Sequence, residues 1–304
     1  MKSQKHDMAG KVWLATGATA GIGEATAFQM AARGATVVGV GRKPVKNENS
    51  TQRIIEATGN RSVKYLLADL SSQEDIRDLA KQFQTKYDRL DILVNNAGAT
   101  FGKRRDSIDG IEMTFALNHL GYFLLTNLLS ELLIESAPSR VIVVSSSLHR
   151  MGKLDFNDIP LNKNYSRAKA YQRSKLANIS FAYELARRMY FHGVTVNAMN
   201  PGLVATSIGQ SASGISAKLK GIVDRVAGMT PEEGAQTIIY LATSPEVIGV
   251  SGKYFVKAKS VPSSKPSYDL TFGRRLWEIS ERLTAKCNPK GGESERQSTV
   301  HTHA

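Results

Sequence analysis

Tyr171 and Lys175 stand four residues apart in the stretch YQRSKLANISFAYELARR. On a helix, positions i and i+4 share a face, so the phenol and the ammonium would meet. An ammonium beside a phenol stabilises the phenolate and lowers its pKa, so the tyrosine could exchange a proton near neutral pH. A Tyr-xxx-Lys spacing is common by chance, and its meaning depends on what the rest of the chain places around it.

The elements that must position this pair read as alternating strands and helices. Lys11–Thr16, Thr36–Val40, Val63–Leu67, Asp91–Val94, Arg140–Ser145, Val194–Met199 and Lys253–Val256 are short apolar runs with strand character. Helical patterns cover Gly23–Arg33, Gln73–Tyr87, Ile111–Glu135, Arg167–Phe191 and Pro231–Thr243. Strands that are nearly continuously apolar and alternate with helices predict an α/β fold, a doubly wound parallel sheet of about seven strands with helices on both faces. Residues 1–287 read as one domain, and the polar stretch 288–304 as a disordered tail.

The first strand runs into Thr16-Gly17-Ala18-Thr19-Ala20-Gly21-Ile22-Gly23. Glycines let a backbone turn tightly and approach a pyrophosphate, and the following helix offers free N–H groups and a positive dipole end. A strand before and a helix after this turn point to a dinucleotide. A Walker-type loop is excluded, since no Gly-Lys-Ser/Thr follows. The second strand ends in Gly39-Val40-Gly41-Arg42-Lys43, with no carboxylate before Glu48. NAD sites usually place an acid there for the ribose 2′-OH. A guanidinium instead grips a 2′-phosphate, and Gly41 would leave room for it. NADP(H) is therefore expected over NAD(H), with NAD(H) possible; the alternative is that Arg42 and Lys43 simply face water.

The chain of 304 residues with 41% hydrophobic content can bury a full core. One cysteine, Cys287, excludes an internal disulfide framework and a cysteine metal cage. No secretory signal or membrane-spanning run is visible, so a cytoplasmic location is expected. The net charge of +13 is scattered, and no nucleic-acid motif accompanies it. Lys257, Lys259, Lys265, Arg274 and Arg275 gather near an apolar C-terminal stretch, which suggests peripheral contact with anionic lipid.

With these motifs assembled, the chain resembles the short-chain dehydrogenase/reductase family, with its Rossmann-type sheet, and within it the retinol dehydrogenase-like branch. The resemblance covers about Gly10 to Asn288. It rests on Thr16–Gly23, Asp69-Leu70, Asn95-Asn96-Ala97-Gly98, Asn118, Ser145-Ser146, Tyr171-xxx-Lys175 and Pro201-Gly202. The branch rests on Asn118-His119-Leu120-Gly121, Ser174-Lys175-Leu176-Ala177-Asn178, the gap from Ser146 to Tyr171, and Arg275-Leu276-Trp277.

The resemblance implies a catalytic tetrad. Tyr171 would be the general acid/base, Lys175 would lower its pKa and bond the nicotinamide ribose, and Ser146 would bond the substrate oxygen. Asn118 would hold a water linking Lys175 to solvent. Ser145 and Ser147 are the alternatives to Ser146. The cofactor contacts implied are Gly17, Thr19, Ala20, Gly21, Ile22 and Gly23 in the turn, with Arg42 and Lys43 beyond it. Asp69 and Leu70 would flank the adenine, and Asn95, Ala97 and Gly98 would line the ribose channel. Pro201, Gly202, Val204 and Thr206 would approach the nicotinamide amide. Asp69 also reads as an ordinary helix-start acid, and His149 as a structural residue of the loop. Ser207–Lys220 resembles a lid, and His149–Asn164 and Pro262–Leu283 would form other walls of the pocket. Tyr165, Leu203, Ile208, Phe272, Leu276 and Trp277 are candidate apolar lining for a lipophilic alcohol or carbonyl. No membrane anchor of the kind typical of the branch is visible before Gly10. Short-chain dehydrogenases often pair through the helices carrying Asn118 and Tyr171, so a homodimer sharing Leu124, Leu125, Leu128, Leu132, Phe181 and Leu185 is expected. The alternatives to an enzyme are a catalytically silent dinucleotide-binding protein and a basic membrane-surface scaffold.

Overall fold

The computed structural model describes residues 7–202 and 229–285. One sheet contains Val12–Thr16 (β1), Thr36–Gly41 (β2), Val63–Leu67 (β3), Ile92–Asn95 (β4), Ser139–Val144 (β5), Val194–Asn200 (β6), Tyr254–Val256 (β7) and Lys259–Ser260 (β8). Their order is β3-β2-β1-β4-β5-β6-β7-β8. Every neighbouring pair is parallel except β7 and β8. The sheet thus has eight strands rather than about seven. β8 is two exposed residues, too short to carry an alternating pattern.

The helices among the described residues are Gly21–Ala32 (α1), Pro44–Thr58 (α2), Gln73–Lys86 (α3), Met113–Phe115 (α4), Gly121–Leu128 (α5), Ser130–Glu135 (α6), Arg167–Arg188 (α7), Pro231–Thr243 (α8) and Leu270–Thr284 (α9). Alternation along the strands divides the core between the two faces. In β1, Val12 and Leu14 join the cluster under α3, α5 and α7, while Trp13 and Ala15 join the cluster under α1 and α8. Such strands are buried on both faces, which is why they read as apolar runs.

The helical pattern expected from Ile111 to Glu135 is broken in the fold. α4 passes into a π turn at Ala116–Leu120, and α5 and α6 are parted at Leu129, whose φ and ψ are −102° and 7°. α7 starts at a Ser166 cap, whose side chain accepts from Lys169 N–H, and ends at Arg188 rather than Phe191. α9 lies along α7. The Trp277 ring stacks on Phe181 at 5.9 Å and meets Phe123 edge-on at 4.9 Å. Phe181 and Leu185, with Leu124, Leu125 and Leu132, are therefore buried within one chain, and Leu128 packs against the same cluster. Five of the six side chains expected to join two copies are thus buried within one chain, and Leu128 is half-buried.

Candidate active site

The C-terminal ends of β1, β2 and β4 open onto a cleft of about 400 Å³. Gly17, Thr19, Ala20, Gly21, Ile22 and Gly23 form one wall. Gly17 has φ +65°, and a Cβ there would stand 2.9 Å from Ala97 Cα. A Cβ on Gly23 would collide with the Gly17 carbonyl. Loop and helix therefore approach as closely as a pyrophosphate cradle requires. The N-cap of α1 is Ala20, which supplies no side-chain cap, so the first-turn N–H groups keep no side-chain partner and can take an anion. These features fit a dinucleotide.

Arg42 lines the same cleft and is exposed. Asp69 and Leu70 line it too, and Asp69 Oδ1 accepts from the Ser71 N–H and hydroxyl in the turn before α3. Ala97 and Gly98 face them. Lys43 is exposed outside the cleft lining, at the N-cap of α2. The space over Gly41 is not left open: a Cβ there would strike Asn47 Oδ1 and Thr19 Cγ2. Asn47 turns inward to donate to the Gly41 and Leu66 carbonyls at 3.2 and 3.1 Å. Gly41 thus makes room for Asn47 and Thr19 rather than for a phosphate.

Asn95 also departs from its expected place. It is the last residue of β4, is fully buried, and donates to Thr126 Oγ1 at 2.9 Å. Strand alternation puts its neighbour on the other side. Asn96 lines the cleft and donates to the Thr16 and Gly17 carbonyls at 2.9 and 3.2 Å, tying the two loops together. Tyr65 was likewise unmarked in the sequence; its hydroxyl holds the Ala18 carbonyl at 2.7 Å from below the glycine turn.

Ser146, Tyr171, Lys175 and Asn118 converge beside this cleft. Lys175 is buried, and its Nζ donates to the Val144 carbonyl at 3.1 Å. It lies 5.6 Å from the Tyr171 ring centroid. A Cβ on Gly98 would lie 3.5 Å from Lys175 Nζ and 3.4 Å from Asn118 Oδ1, so bare backbone separates both from the cleft. Asn118 sits in the π turn, an irregularity often found at functional sites. Its amide clasps Ala99, accepting from N–H at 2.9 Å and donating to the carbonyl at 3.1 Å, and also donates to Ser174 Oγ at 3.1 Å. Both side-chain N–H groups are engaged with protein.

Burial pushes the Lys175 ammonium down to about 7. Burial pushes the Tyr171 phenol up, and a hydrogen bond with the Ser146 hydroxyl opposes that rise. Desolvation is the largest influence on the phenol, and it acts against the lowering expected from the Tyr-Lys spacing.

Of the three serines, Ser145 is buried with its hydroxyl donating to the Lys175 carbonyl at 2.8 Å, and Ser147 is exposed. Of the three, Ser146 is the one that stands beside the phenol and opposes the rise in its pKa. His149 Nδ1 bonds the Ser146 carbonyl at 2.6 Å, and its Nε2 accepts from Ser264 N–H at 3.1 Å. The imidazole is thus neutral with the proton on Nδ1, and it pins the serine loop to the C-terminal segment.

Pro201 and Gly202 follow β6, and Gly202 N–H donates to Asn200 Oδ1 at 3.2 Å. Val204, Thr206, Leu203, Ile208, the Ser207–Lys220 stretch, Cys287 and residues 288–304 lie outside the described residues. Leu276 and Trp277, expected in the pocket lining, are core residues at 1% and 5% exposure. Phe272 packs on Phe156 of the inserted stretch, ring centroids 5.0 Å apart. Tyr165 turns its hydroxyl to the Phe101 carbonyl at 2.9 Å. The exposed apolar side chains next to Ser146 are instead Leu148 and Met151.

The family model for short chain dehydrogenase matches residues 11–214. The chain is a short-chain dehydrogenase. It is similar to mouse retinol dehydrogenase 14, 42% identical over 288 residues that cover 90% of this chain and 86% of that protein. This places it in the retinol dehydrogenase-like branch, and it is an oxidoreductase acting on CH–OH groups. A crystal structure of an uncharacterised protein from Mycobacterium paratuberculosis matches it with a TM-score of 0.72 at 28% identity, over 91% of this chain and 94% of that one. The Pseudomonas aeruginosa RhlG/NADP active-site complex matches with a TM-score of 0.68, also at 28% identity, over 83% and 96%. The similarity thus extends beyond the segment that the family model matches.

Proposed function

We propose that this short-chain dehydrogenase uses NADP(H) to interconvert a lipophilic alcohol of the retinol class and its aldehyde or ketone, with Tyr171 as general acid/base. The observation that carries this reading is that Lys175 and Asn118 stand against Gly98 of the dinucleotide cleft, with the Tyr171 ring 5.6 Å from Lys175 Nζ and Ser146 beside the phenol. The cofactor preference draws support from Arg42 in the cleft, from the lack of an acid at the end of β2, and from the NADP complex named above. Gly17–Gly23 and the α1 N-terminus would hold the pyrophosphate, and Arg42 the 2′-phosphate. Bound NADPH supplies a hydride.

The chain's own groups supply the proton. Tyr171, whose burial favours the protonated phenol, donates its proton to the carbonyl oxygen. The Ser146 hydroxyl offers a second hydrogen bond to the same oxygen, where charge develops. Burial brings the Lys175 pKa down to about 7, which eases return of its proton to the phenolate. Asn118 holds Ala99, and with it the cleft wall, at a fixed distance from Lys175. Leu148 and Met151 present apolar surface on the turn after Ser146, where a lipophilic substrate would approach.

The test is a series of straight-chain aldehydes, retinaldehyde and sugars, assayed at 340 nm with NADPH and NADH. Each buried methylene adds up to about 0.8 kcal/mol, so kcat/KM should climb with chain length before levelling off. A flat series, a preference for sugars, or better use of NADH would overturn the substrate or cofactor assignment.

A further inference from the structure

A second cavity of about 860 Å³ lies at the opposite edge of the sheet. Ile92, Ser139, Arg140, Val194 and Thr195, from the starts of β4, β5 and β6, form part of it. No residue of the dinucleotide cleft contributes. Ligands of open α/β sheets gather at the C-terminal strand ends, so this cavity stands outside the site described above.

The lining is largely apolar and includes exposed aromatic side chains. Tyr190 and Phe191 are 74% and 91% exposed, with their rings 4.9 Å apart, and Ile248 is 70% exposed. Large apolar side chains held this openly around a concavity mark a site that something covers. The charges say what. The two lining acids are already matched: Asp7 with Arg33 at 2.8 Å, and Asp91 with Lys11 at 2.8 Å and Arg89 at 2.6 Å. Arg187 shares the single carboxylate of Glu184 with Arg188. Arg140 has no carboxylate partner among the described residues. Its Nη1 donates only to neutral acceptors, the Leu241 and Ser244 carbonyls at 2.8 and 3.2 Å. A half-buried arginine that lines an apolar concavity and has no carboxylate partner complements an anion attached to a hydrocarbon.

We propose that this cavity binds an acyl chain with an anionic head, the head at Arg140 and Arg187 and the chain along Tyr190 and Phe191. Its volume lies within the roughly 300–1,000 Å³ of small-molecule sites. The source could be a free carboxylate or a phosphate ester, and the head-group preference tells which. The experiment is isothermal titration calorimetry of the full chain with dodecanoate, dodecyl phosphate and dodecanol below their aggregation limits. One site should bind dodecanoate or dodecyl phosphate at least tenfold more tightly than dodecanol. Phe191→Ser, at an exposed position that leaves the fold intact, should weaken the anion at least fivefold. Arg140→Gln should abolish the preference over dodecanol; should that variant fail to fold, the head-group comparison and Phe191→Ser still decide. Equal affinity for the alcohol, or binding indifferent to Phe191→Ser, overturns the proposal. So does a dimer in light scattering that Phe191→Ser dissociates, since a second copy would then cover the face.

Discussion

α7, which carries Tyr171 and Lys175, is tied to the π turn by a buried ion pair, and breaking it should be costly. Arg173, between Tyr171 and Lys175 on α7, donates from Nη2 to Glu112 Oε2 at 3.0 Å, with side-chain exposures of 2% and 0%. Glu112 also accepts from the Thr114 and Phe115 N–H groups at 2.8 and 3.0 Å, capping α4 just before Asn118. Burial pulls the Arg173 pKa down, and Glu112 holds it up. Glu112→Gln preserves the shape but leaves the guanidinium buried without its counter-charge and turns an amide N–H₂ toward a backbone donor or Arg173. Removing one partner of such a pair costs about 3–5 kcal/mol, a large part of the roughly 5–15 kcal/mol that holds a domain together. Arg173→Met should cost a similar amount. The double variant leaves neither charge and should cost at least about 2 kcal/mol less than the sum of the singles. Urea unfolding at pH 7.5, followed by circular dichroism, measures all four proteins. A Glu112→Gln cost below about 1 kcal/mol, or strict additivity, would refute the claim that this pair fastens α7 to the π turn.

Arg42→Asp should weaken NADPH by about 2–3 kcal/mol, roughly 30- to 150-fold in Kd, and spare NADH, as read by fluorescence titration. His119 makes stability pH-dependent. Burial lowers its pKa to about 3, below the unfolded value near 6.5. The unfolded chain therefore binds the extra proton between these values, and stability present above pH 6.5 is lost as pH falls. Between pH 7 and pH 5 the loss from this one group is about 2 kcal/mol, and His119→Gln should lose that much less in urea unfolding at the two pH values. If the variant shows the same acid sensitivity, the group responsible is another.

The central sheet was legible because parallel strands buried on both faces leave apolar runs, as in β1, which is buried at every position. α8 falls where its helical pattern is read, Pro231–Thr243, and the structure closes it with a Thr230/Glu233 capping box. α2 was not read, because its inward face is Asn47 and Ser50 with Ile54; polar residues that bond carbonyls, as Asn47 does, or the Glu24 carboxylate, as Ser50 does, leave no apolar period. The tetrad residues were readable as types at spacings, but their environment was not. Desolvation at Tyr171 and Lys175 depends on what covers them, and the π turn at Asn118 leaves no compositional mark. Asn95 and Asn96 are chemically identical in sequence, and only strand alternation decides which one faces the cleft. Leu276 and Trp277 read as pocket because nothing local tells that α9 turns them onto Phe181 and Phe123.

The account stands most directly on Tyr171→Phe, which keeps the ring and deletes the proton. Single-turnover reduction of a hydrophobic aldehyde by bound NADPH should slow by at least about a hundredfold. NADPH affinity, measured by fluorescence titration of the same protein, should change less than about threefold. Retention of more than about a tenth of the wild-type rate would remove Tyr171 from the proton transfer and with it the mechanism proposed here.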